Sequence, residues 1–89
     1  MNKNLRNLIS AIRCKTVLYA NKAKAQGSLN ILTAYTIPTT TMLLELFSRV
    51  GFDDRLKIEK AIHWLYTIEA ETENYIRSAN YEAEIKKGN

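Results

Sequence analysis

The four residues Pro38-Thr39-Thr40-Thr41 are where this sequence comes nearest to a binding site. If they open a helix, they bring free backbone N–H groups, the positive end of the helix dipole and the threonine hydroxyls to one point. All three suit an anion, and a phosphate above all. Lys15, Lys22 and Lys24 precede them and would supply charge. The plainer reading is structural, because threonine is an ordinary N-cap and proline is at home in a first helical turn. The glycine-rich loop of a phosphate-binding motif is absent.

The charge layout carries the same hint. From Met1 to Leu44 there are six bases and no acid. All nine acids lie from Glu45 onward, beside seven bases, so the formal charge of +4 conceals a basic half and a slightly acidic half. Such asymmetry points to an anionic partner. It is equally what a basic helix docking on an acidic one would show, within one chain or between copies. Tyr19 and Tyr35 have the chemistry to stack bases, and the basic flanks of the first helix could meet phosphates. No helix-turn-helix, zinc-finger or RNA-binding motif accompanies them.

Catalysis and metal binding find little support. His63 is the only histidine and Cys14 the only cysteine, in different segments. One of each is too few for a metal without carboxylates. Glu69, Glu71 and Glu73 are crowded, but Glu71 points away from the others on a helix, and a solvated face is the simpler reading. Glu69 alone interrupts an apolar seam, and a pair with Lys15 or Lys22 is expected. No base, nucleophile and orienting group can be assembled. The chain is therefore expected not to be an enzyme and to need no cofactor.

The elements that must position these residues are helical. Asn4 is a fair N-cap, Leu5 to Gln26 reads as a first helix, and Gly27 ends it. Leu5, Leu8, Ile9, Ile12, Tyr19 and Ala23 make its main apolar face. A second uncharged stripe, Asn7, Ala11, Cys14, Leu18, Asn21 and Ala25, has heptad spacing. A helix with two such faces touches two things, so Ala11, Cys14 and Leu18 are expected at an interface between copies.

Residues 29 to 37 alternate like a strand, but a lone strand has no partner. A short helix from Ser28 to Tyr35 is preferred, with Ser28 as cap. Pro38 then pushes Ile37 extended. A separate apolar helix is expected from about Thr40 to Val50, ended by Gly51, with Phe52 folding back on it.

From Asp53 to Lys87 the sequence reads as one long helix. Ile58, Ala61, Ile62, Leu65, Ile68, Thr72, Tyr75, Ile76, Ala79 and Ala83 recur at steps of three and four. Asp53 and Asp54 suit its start, and Lys86, Lys87 and Gly88 its end. Glu73 with Arg77, and Glu82 with Lys86, are spaced to pair. Such a helix is ~50 Å long at ~1.5 Å per residue, against ~30 Å for a compact domain of this size. Either it kinks or frays near Ser78-Ala79-Asn80, or its far end packs on another subunit; the second is expected, because Ile76, Ala79, Ala83 and Ile85 are still apolar there. Trp64 flanks the apolar face, and Tyr66 and Tyr81 fall outside it; such exposed aromatics often anchor contacts.

The expected fold is therefore all-α. It is a single small helical domain spanning the 89 residues, with a long C-terminal helix, completed by homo-oligomerisation. Arg13 and Lys15 interrupt the one candidate leader region, and no run is apolar enough to span a membrane. One cysteine excludes an internal disulfide, and a cytoplasmic protein is expected. Three functions fit. The first is an oligomeric, non-enzymatic protein that captures an anionic ligand, a phosphorylated nucleotide or nucleic acid, on a basic, hydroxyl-lined surface. The second is a protein–protein inhibitor or adaptor, acting through Trp64, Tyr66 and Tyr81 or the basic face. The third is a basic amphipathic helix on a membrane surface.

Overall fold

The computed structural model describes residues 3–88, and it consists of three α-helices. They are α1 (Lys3–Gln26), α2 (Asn30–Phe47) and α3 (Phe52–Gly88), running up, down and up, each packed on the other two. No strand occurs among the described residues, so the alternation at residues 29–37 belongs to a helix. The last-turn role expected of the Lys87 side chain lies outside the described residues.

Gly27 stops α1 by taking φ +65°, which lets the Ser28 N–H reach the Ala23 carbonyl at 3.0 Å. This six-residue closure is the left-handed cap that glycine forms without steric cost. The cap expected at Ser28 is made by backbone instead, with Ile31 N–H donating to the Ser28 carbonyl at 3.3 Å.

α2 departs from expectation. It runs unbroken through Pro38, where two helices separated by an extended Ile37 were expected. Proline removes one N–H, and the carbonyl four residues back, on Ala34, loses its helical donor. Ala34 and Pro38 are both exposed, so water can serve that carbonyl. The opposite face carries the fully buried Leu32, Thr36 and Leu43, and burying them holds the helix across the defect. Thr39 Oγ1 donates to the Tyr35 carbonyl at 2.7 Å and Thr41 Oγ1 to the Ile37 carbonyl at 3.1 Å, adding bonds on either side.

α2 also ends at Phe47, short of Val50, and Gly51 does not take positive φ. The turn is held by Arg55 instead. Its Nε donates to the carbonyls of Phe47 and Val50, each at 3.1 Å, and its guanidinium lies 5.5 Å from the Phe47 ring centroid. α3 starts one residue early, at Phe52, which places Asp53 and Asp54 inside the first turn where the dipole favours them. It continues without a kink at Ser78-Ala79-Asn80, and the molecule measures 58 × 17 × 17 Å.

The core has two parts. One holds Leu5, Ile12, Leu43, Ile58, Ala61 and Leu65. The other holds Ala20, Ala23, Leu32 and Ile76. Between them along each helix lie buried threonines: Thr16 on α1, Thr36, Thr39 and Thr40 on α2, and Thr72 on α3. Thr16 Oγ1 donates to its own helix at the Ile12 carbonyl, 2.6 Å away, while Thr36 and Thr40 Oγ1 have no partner.

Candidate functional site

At the end of the bundle nearer the α1–α2 turn, the core positions of α1 are alanines. Ala20 and Ala23 let the helices approach closely, and the larger side chains lie on the flanks. There Tyr19 of α1 stacks on Tyr35 of α2, with centroids 5.0 Å apart and planes at 28°. Lys22 Nζ lies 5.7 Å from the Tyr19 ring centroid. Lys15 is four residues before Tyr19 and Lys22 three after, so all three share one face of α1. Lys24 turns the other way, with Nζ 5.4 Å from the Tyr75 ring of α3.

No base of α1 makes an ion pair among the described residues. Among the described residues the ion pair is Arg77 with Glu73, at 2.7 Å and within α3, and none joins α1 to α3. The basic α1 packs on α3 within the chain, but it does so through apolar and cation–ring contacts and not through ion pairs. Glu69 is half-buried and pairs with neither Lys15 nor Lys22. Arg13, Lys22 and Lys24 rest on Trp64, Tyr19 and Tyr75. Such contacts orient a cation without cancelling its charge.

Thr39, Thr40 and Thr41 do not form the expected anion site. That site needed a helix beginning at Pro38, and these residues are instead in the interior of α2. Their N–H groups are not those of a free helix end. Thr39 and Thr40 are buried, and the hydroxyls of Thr39 and Thr41 donate to their own helix.

The opposite end, near the α2–α3 turn, has a surface groove of about 780 Å³. Leu44, Phe47, Leu56, Ile62 and Trp64 form its apolar walls, and Arg13, Glu59, Lys60, His63 and Tyr66 its rim. The Arg13 guanidinium lies 5.6 Å from the Trp64 ring, tying α1 to α3 there. Trp64, expected as an exposed contact residue, is half-buried against the larger core cluster, whereas Tyr66 and Tyr81 are exposed. Trp64 and Tyr66, expected as contact residues, both line this groove, but its other walls could not be read because they come from a second helix, in Leu44 and Phe47 of α2.

Of the residues expected between copies, Ala11, Cys14, Leu18, Ala79 and Ala83 are exposed. Ile76 is buried in the chain's own core and is not available to a second subunit. No group of three or more metal-ligating side chains occurs among the described residues, and none of their helices is long and apolar enough to cross a membrane. The chain is thus defined by its class, an all-α three-helix bundle. No family model, curated protein or solved structure matches it.

Proposed function

We propose that this chain is a non-enzymatic, homo-oligomeric binding protein of the cytoplasm that captures a phosphorylated nucleotide on Lys15, Tyr19, Lys22 and Tyr35. One observation carries the reading. The α1 lysines make no ion pair within the chain, and two of them share a helix face with a tyrosine stack. Stacked rings offer a base a π-face, and lysines offer its phosphate charge-assisted hydrogen bonds. A base arriving on Tyr19 takes the place of the Lys22 ammonium, which swings to the phosphate. A compact pair of rings with two lysines fits one nucleotide better than a polymer track. The threonines of α2 have no part in this site.

Native mass spectrometry of the protein, purified without a denaturing step, tests the reading. The expected result is an oligomer carrying extra mass near that of a nucleotide. Titration with a fluorescent adenine nucleotide should show binding that weakens steeply with salt and falls at least tenfold in Lys22→Glu. An oligomer without adduct, and no salt-sensitive binding of either the nucleotide or a single-stranded oligonucleotide, would remove it.

The groove favours a second reading, an adaptor or inhibitor that grips a protein through Trp64, Phe47 and Leu44. Association of that kind should change little with salt.

A further inference from the structure

We infer that the groove receives the C-terminal end of α3 from a second copy of this chain, in an antiparallel pair where each tail fills the other's groove. The inference rests on the oligomeric part of the reading above and names the surfaces that make it. The tail is unpartnered: every residue from Arg77 to Lys86 is exposed, including Tyr81 at 65% and Ile85 at 46%. Tyr81 and Ile85 are four apart and so lie on one face of the helix, with Glu82 beside them. They would place an aromatic ring and a branched aliphatic chain against the groove's apolar walls.

The tail from Arg77 to Lys86 is neutral as a whole, with Glu82 and Glu84 against Arg77 and Lys86, so complementarity is local. Glu82 and Glu84 flank the Tyr81–Ile85 face on either side, Lys86 lies further round the helix and Arg77 is paired with Glu73, while the groove's rim offers Arg13 and Lys60 beside Glu59. The tail cannot fold into its own groove. Ile85 lies 25 residues along a straight helix from Lys60, or ~37 Å at ~1.5 Å per residue. A second copy running antiparallel brings the two ends together twice, around a two-fold axis, and closes the assembly. The length that overhangs a single bundle then becomes the contact.

Leu44→Asp in the groove and Ile85→Asp in the tail test the inference, since both residues are exposed and the fold should survive, as checked by circular dichroism. Sedimentation equilibrium should show wild-type dimers or multiples of them, and at least tenfold weaker association in either variant. Mixing the two variants, one labelled with nitrogen-15, should restore heterodimers in native mass spectra, because one groove and one tail remain intact. A wild type that stays monomeric at hundreds of micromolar overturns the inference. So does an oligomer indifferent to both substitutions, or a monomer whose groove holds the helix of a different protein. The nucleotide titration is read separately on the wild type. Tail-dependent dimers that bind no nucleotide leave this inference standing and remove the ligand, whereas a monomer that binds nucleotide does the reverse.

Discussion

At the α1–α2 end the core is built from Ala20, Ala23, Leu32 and Ile76, and at the α2–α3 end from Leu5, Ile12, Leu43, Ile58, Ala61 and Leu65. The first end is thin, with Tyr19 half-buried against it, Tyr35 half-buried and Tyr75 exposed, each a ring within a stack or beneath a lysine. The second end is thick, and its aromatics Phe47 and Trp64 pack on the core while walling a groove. Small core residues put rings and cations on the surface together, which suits a polar ligand. Large ones fill the interior and leave an apolar surface above it, which suits another helix. One three-helix bundle thereby presents two different chemistries, separated by buried threonines.

The comparison breaks most readily at the core. Leu65→Ala, at a fully buried site in the thick cluster, should cost about 2–5 kcal/mol by leaving a cavity. Ile76→Ala, in the thin cluster and 8% exposed, should cost less, because water and neighbouring side chains can fill part of the space. Urea denaturation of both variants measures the difference. Equal losses would mean that the two ends do not differ in packing as described.

How much of this was legible beforehand follows the same division. The helices α1 and α3, the all-α class and the seam from Ile58 to Ile76 could be read, because periodicity reports a buried face directly. The continuity of α2 could not. Pro38 is a strong local signal, and only the burial of Leu32, Thr36 and Leu43 on the far face overrides it. The threonine anion site failed with that boundary. Trp64 looked exposed on one helix and is half-buried because Arg13 and the larger cluster come to it from elsewhere.

Pro38→Ala sharpens the point. The backbone of α2 is already helical at this exposed position, so alanine restores an N–H and relieves the ring's clash. Stability should rise by about 1–3 kcal/mol, seen as a higher Tm. A fall would show that the ring's restriction of the unfolded chain outweighs the restored hydrogen bond.

Gly27→Ala loosens the thin end alone. Nothing lies within 4 Å of the added methyl, so its cost is the positive φ, about 1–2 kcal/mol. Denaturant midpoints measure it. If nucleotide binding falls further than stability does, the α1–α2 turn positions Tyr19 against Tyr35 as well as closing the chain.

The boundary between the two ends gives the finest test. Thr36 is fully buried, its hydroxyl has no partner, and valine has nearly its shape. Removing an unsatisfied buried hydroxyl should stabilise the fold by about 1 kcal/mol. Thr16 is buried in the same layer but donates at 2.6 Å to the Ile12 carbonyl, so Thr16→Val should not gain and should lose up to about 1 kcal/mol. Opposite signs from two chemically identical substitutions, read by urea denaturation, would show that the layer is held on α1 and merely tolerated on α2. Destabilisation by both would mean that Thr36 is satisfied by a buried water, and that the threonines join the two clusters as one polar network.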